Sequence, residues 1–272
     1  MRLEPTREAD RMRLIPGFLQ RSDAERTGTM SVMEHLEELR RRIVIAFFAV
    51  LGGAVVGWFL YPYVLELLRE PYCQFWRDHP DLRATDTCAL VFNSPVGAFL
   101  TKLKMVGFLG LIVALPIVLY QLWAFIVPGL TSREKKWSIP FIVVSTLLFI
   151  TGAAFSVWTL PKALDFLLSF GGEGVKPLIS FDTYVGFVTL VTLAFGLSFL
   201  FPVILVFLEA VGVLSWQKLA SWRRWAILGI SIFAAVITPS GDPYTMFAMM
   251  IPMYVFYEVS IIIGRFMKRS RT

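Results

Sequence analysis

The stretch MSVMEHLEELRRRIVIAFFAV, residues 30–50, sets Glu34, Glu37 and Glu38 beside Arg40, Arg41 and Arg42, directly before a long apolar run. Arginines at the mouth of a membrane span are ordinary, but carboxylates there need a positive partner. Two chemistries fit. Glu37–Arg41 and Glu38–Arg42 stand four residues apart, so one helix can neutralise its own charges, each pair contributing roughly 0.2–0.5 kcal/mol. Alternatively, the carboxylates face a positive partner from elsewhere, which spacing does not name. Spacing alone leaves both open. Ser31 and Glu34 have the spacing of a capping box, and Leu36, Leu39 and Ile43 form an apolar stripe behind it, so a helix starts here.

Other chemistry is sparse. The two histidines, His35 and His79, lie outside the apolar runs. The chain has no HExxH, no GxSxG, no phosphate-cradling glycine loop and no Cys/His ligand cluster. A pump or ion-coupled carrier places ionisable groups at mid-membrane. Here Glu209 and Glu258 lie toward the ends of their runs. The sequence thus disfavours an enzyme, a cofactor and a proton-relay carrier, and leaves a membrane receptor, scaffold or pore component.

The elements that position these groups are membrane helices. Residues are 56% hydrophobic and 17% charged, against about 25% charged in soluble domains. Six spans are expected: Ile43–Tyr61, Met105–Val127, Ser138–Leu160, Tyr184–Leu208, Trp225–Ile237 and Tyr244–Ile263. The fifth is only about 20 Å long, against a hydrocarbon core of about 30 Å, and Glu258 interrupts the sixth. Pro116, Pro202 and Pro252 favour kinks and curved walls. Bases concentrate in the N-terminal segment, in 133–136, in 218–224 and in the tail. The positive-inside rule then puts both termini in the cytoplasm. The net charge of +6 therefore reads as topology, not as nucleic-acid binding. Residues 1–30 are polar and lack the apolar core of a secretory leader.

Cys73 and Cys88, the only cysteines, fall in the first external loop. An oxidising compartment favours a bridge over two free thiols, and closing about 15 residues stabilises by roughly 3 kcal/mol.

HLEELRRR resembles the N-terminal motif of the TatC family, the receptor subunits of the twin-arginine protein translocase. SPVGAFLTKLK with ALPIVLYQLWAFIVPGLTSREKK is similar to the family's second span and following loop. GLSFLFPVIL resembles its fourth span, and ITPSGDPYTMFAMMIPMYVFYE its fifth-to-sixth region. The cysteine pair and the SGDP variant look most like actinobacterial members. The resemblance covers about residues 30–267. It leaves 1–29 as a cytoplasmic extension, disordered or upstream of a true start at Met30, and 268–272 as a basic tail.

The resemblance implies an all-α, six-span bundle with the last two spans short and a concave cytoplasmic face. It implies binding of signal peptides with paired arginines, export of folded proteins driven by the proton-motive force, and TatA- and TatB-type single-span partners within an oligomeric complex. Glu38 and Glu134 match the family's signal-peptide carboxylates; Arg40, Phe125 and Leu130 match positions around them. For Phe125 and Leu130 lipid or helix packing is the structural alternative. Gln121, Asp242 and Glu258 match further functional positions, with a turn before Pro243 as the alternative for Asp242 and a snorkelling or interfacial acid for Glu258. Leu200 departs from the pattern, since many members carry glutamate there. A small-solute channel or carrier is the runner-up.

Overall fold

In a computed structural model, residues 32–80, 88, 90–126, 138–170, 178–238 and 241–269 are described. Helices account for nearly all of them: α1 Val32–Asp78, α2 Pro95–Ile126, α3 Ser138–Ser169, α4 Phe181–Ser198, α5 Phe201–Ala210, α6 Trp216–Ser221, α7 Arg223–Ile237 and α8 Pro243–Arg269. Five helical stretches are long and apolar enough to cross a membrane, α4 and α5 forming one of them over Phe181–Ala210. Helices satisfy every backbone group internally, which lipid demands. Large apolar side chains such as Phe47, Phe48, Phe59, Trp158 and Val236 stand exposed on their outer faces, as lipid contact requires. The protein is a multi-pass helical membrane protein.

The expected fifth span is α7, of 15 residues and so about 22 Å long. Its partner α8 is longer than the sequence indicated, running through Glu258 to Arg269 with Pro252 inside it. The first span was also underestimated. Helix α1 has 47 residues, about 70 Å, more than twice the hydrocarbon core. Glu66, Arg69 and Glu70 end the apolar run but not the helix, because beyond Tyr61 the helix is held by protein. There Leu68, Tyr72, Phe75 and Trp76 pack with Leu160 and Leu164 of α3 and Tyr184, Val185 and Val188 of α4. Tyr184 donates to the Leu68 carbonyl at 2.6 Å, close to where Pro71 removes a ladder donor. Cys73 and Cys88 are disulfide-bonded, with Cα atoms 5.3 Å apart, tying α1 to the segment before α2. Phe181 N–H donates to Val91 O at 2.7 Å, joining that segment to the start of α4.

Within the membrane α1 and α2 form the closest pair. Gly53 and Gly57 are spaced as small-xxx-small, which lets membrane helices approach to backbone contact. A Cβ on Gly110 of α2 would lie 2.6 Å from Ala54 N and 2.8 Å from Ala54 Cα. The other core joins α4 and α5 to α6, α7 and α8 through Phe195, Phe199, Leu205, Leu219, Ile230, Met249, Met253 and Tyr257.

Leu200 packs with Leu115, Leu119 and Phe149. The residue type suits this apolar setting, where an unpaired carboxylate would be costly. Full truncation of a buried leucine costs 2–5 kcal/mol, and Leu200 is half-buried. Leu200→Ala is therefore expected to lower stability by about 1–2 kcal/mol while retaining export, and Leu200→Gln to be tolerated. Thermal unfolding in detergent and an export assay at matched protein levels check both.

Candidate functional site

The antiparallel packing of α1 and α2 brings the first turns of α1 against the last turn of α2. His35 stacks on Phe125, ring centroids 4.3 Å apart and planes 20° apart. One helical turn on, Arg42 Nε donates to Glu38 Oε1 at 3.0 Å, and a second guanidinium nitrogen reaches the same oxygen. The remaining nitrogen donates to Gln121 Oε1 at 3.4 Å. Arg42 thus joins α1 to α2 at this end. Both members of the ion pair are mostly buried, with side chains 21% and 22% exposed. The pairing uses one oxygen of Glu38 only. Oε2 is buried and accepts no hydrogen bond.

An acceptor oxygen in that state is costly unless something donates to it. A carboxylate with one oxygen held and the other open is half of the fork that an arginine recognises. Gln121 and Phe125 lie on the α2 face that meets α1, four residues apart. Arg40 is exposed and is two residues from Glu38, a spacing that does not share a helix face. It is not brought to the Glu38 pair. Leu130 and Glu134 lie outside the described residues.

Asp242 and Glu258 belong elsewhere. Asp242 is 3% exposed and caps α8: Oδ1 accepts from Thr245 N–H at 2.7 Å, and the Thr245 hydroxyl donates to Oδ2. Pro243 follows at the first helical position, where its missing N–H costs nothing. This is the geometry of a helix start. Caps are worth about 0.5–2 kcal/mol. Asp242→Ala is expected to lower stability by about 2 kcal/mol, and Asp242→Asn to recover most of the loss; thermal unfolding in detergent measures both.

Glu258 takes a fork from Arg223: Nε to Oε1 at 2.8 Å and a terminal nitrogen to Oε2 at 2.8 Å. The Tyr254 hydroxyl also donates to Oε1, at 3.2 Å. The pair ties α7 to α8. The two residues are 35 apart in sequence, so no local spacing announced it. The His35 stack was likewise unread, because ring stacking between helices leaves no periodic signal. Glu209, placed by the sequence toward the end of its run, has both oxygens buried without a partner, against the backbone of Gly264. Among the described residues no cluster of three His, Cys, Asp or Glu side chains could hold a metal.

The family described as Sec-independent protein translocase protein (TatC) matches residues 34–252. A TatC of Frankia casuarinae is 42% identical over 238 residues, covering 86% of this chain and 65% of its own length. The chain thus spans just under two thirds of that relative. A TatC of Carboxydothermus hydrogenoformans is 35% identical, covering 88% of this chain and 94% of its own. A crystal structure described as the twin arginine translocase receptor TatC superposes with a TM-score of 0.69 at 37% identity, over 85% of this chain and 99% of that one. With the Glu38-bearing motif and helices α2 to α7 inside the matched region, the chain belongs to the TatC family of Sec-independent protein translocase proteins.

Proposed function

We propose that this protein is the receptor for twin-arginine signal peptides and the assembly core of a translocase that exports folded proteins across the cytoplasmic membrane. The observation that supports this most is the Glu38 carboxylate at the start of α1, with Oε1 paired to Arg42 and Oε2 left without a hydrogen-bond partner. A signal-peptide guanidinium donates to Oε2 while Arg42 holds Oε1 and orients the carboxylate. Glu134 supplies the second carboxylate. It lies eight residues past Ile126, a stretch that reaches at most about 28 Å. Two carboxylates meeting two guanidiniums favour arginine over lysine, since the always-charged planar guanidinium presents several donors in a fixed geometry. Phe125 and Leu130 supply apolar surface beside the charges, and Arg40 the outward charge of the same helix.

The reading places both termini in the cytoplasm. TatA- and TatB-type single-span subunits and further copies of the chain pack on the exposed apolar faces, and the proton-motive force drives the cycle. A small-solute channel or carrier is not favoured. The test is replacement. In a bacterium whose own twin-arginine receptor is deleted, this chain with matching single-span subunits is expected to restore export of a folded reporter carrying an Arg-Arg leader. Export of the same reporter with its leader changed to Lys-Lys is expected to stay at background. Equal export of both leaders would contradict the reading.

A further inference from the structure

At the end of the α1/α2 pair opposite Glu38, the Lys102 ammonium lies 4.2 Å from the centre of the Trp58 ring and 5.0 Å from that of Tyr61. Among the described residues no carboxylate pairs with Lys102. Its depth follows from helix geometry. Gln121, which meets Arg42, is 19 residues along α2 from Lys102, about 28 Å. That is close to the thickness of the hydrocarbon core. If Arg42 and Gln121 mark one boundary of the core, Lys102 marks the other. Tryptophan and tyrosine prefer this depth, where the ring is in hydrocarbon and its polar edge among headgroups.

A second feature adjoins the first. Leu51, Ala54, Val55, Trp58 and Phe59 line a groove of about 340 Å³ on the outer face of α1. It runs from Trp58 back toward the membrane centre and is almost wholly apolar. Trp58 belongs to both features: it lines the groove and carries the cation. The groove exists because Gly53 and Gly57 turn their bare faces to α2, which leaves the larger side chains on the other side of the helix. A polar, positive mouth at headgroup depth over an apolar channel at acyl-chain depth has the two-part chemistry of one phospholipid. A cation with no carboxylate partner among the described residues selects an anionic phosphate headgroup over a zwitterionic one, whose own ammonium competes with Lys102.

We infer that Lys102, Trp58 and Tyr61, with the groove below them, form a binding site for one anionic phospholipid in the leaflet opposite the Glu38 end. The site holds α1 against α2 from outside, at the height where α1 leaves the membrane for its packed extension. It is independent of what occupies Glu38.

The test uses the full chain, purified in detergent and exposed to equimolar phosphatidylglycerol and phosphatidylcholine, with retained lipid counted by native mass spectrometry. Wild type is expected to retain one phosphatidylglycerol with about tenfold preference, the size of one charge-assisted contact. Lys102→Gln is expected to bring the two lipids near parity, and Lys102→Arg to keep the preference. Lys104→Gln, an exposed lysine two residues on, is expected to behave as wild type. Val55→Trp fills the groove from a position that is 62% exposed, so it spares the fold, and it is expected to abolish retention of both lipids. Parity in wild type, an unchanged preference in Lys102→Gln, or undiminished retention in Val55→Trp would each overturn the site. So would a dimer without retained lipid that Val55→Trp splits, since the groove would then be a face between copies.

Discussion

Gly110→Ala is expected to unfold or strongly destabilise the protein, reversing the usual sign of that substitution in a helix. Within a helix, alanine is normally favoured over glycine by about 1 kcal/mol. At Gly110 the added methyl would meet the Ala54 nitrogen at 2.6 Å and the Val50 carbonyl oxygen at 2.8 Å. These are backbone atoms and cannot rotate away. Helix α1 would have to move off α2, opening both the Gly53–Gly57 seam and the Glu38–Arg42–Gln121 bridge that depends on it. Overpacking in a rigid site costs about 1–3 kcal/mol, occasionally more. With the bridge lost as well, we expect the upper end, about 3 kcal/mol. Gly107, one turn away, has no atom near its would-be Cβ, so Gly107→Ala is expected to be neutral or slightly stabilising. Unfolding temperatures of the two variants in detergent separate packing from propensity. Equal values would mean that the α1/α2 seam is not as close as described.

The second large effect concerns recognition. Glu38→Gln is expected to weaken binding of an Arg-Arg signal peptide about tenfold or more, since a hydrogen bond to a charged group contributes about 1.5–3 kcal/mol and 1.4 kcal/mol is a factor of ten. Glu134→Gln is expected to do the same. The informative comparison is Arg42→Gln. If Glu38 serves only to pair with Arg42, removing either member breaks the same contact and the two variants match. If Glu38 is a receptor group, they diverge. Glu38→Gln loses the peptide, whereas Arg42→Gln frees Oε1 for a peptide guanidinium and keeps or tightens binding. Peptide titration against purified protein, by fluorescence anisotropy, measures all three.

The Glu38–Arg42 pair was legible because four-residue spacing puts two side chains on one helix face, although the same spacing at Glu37–Arg41 gives no ion pair among the described residues. The spans were legible for a similar reason: lipid demands an apolar run of a set length. Their ends were not, because helices continue wherever protein replaces lipid as the partner. That is why α1 runs on to Asp78, over the aromatic cluster around Tyr72 and Phe75. Arg223–Glu258 and His35–Phe125 stayed hidden because each joins two helices, and no local period reports which faces meet. Asp242 carried both readings in the sequence, functional position and turn residue; its contacts to Thr245 now account for its burial. What distinguishes Glu38 from a self-neutralised charge is its second oxygen. That could not be read from spacing, since the i,i+4 rule says nothing of what the other oxygen does.

Glu38 and Glu134 together are proposed to hold the paired arginines of a signal peptide. Photo-crosslinking of a signal peptide, with the reactive group beside its arginine pair, to membranes containing wild type, Glu38→Gln or Glu134→Gln at matched protein levels tests this most directly. The account predicts strong crosslinking of the Arg-Arg peptide to wild type, a drop of about tenfold in each variant, and a weak, unchanged signal for a Lys-Lys peptide throughout. Equal crosslinking of the Arg-Arg peptide to wild type and both variants would contradict it.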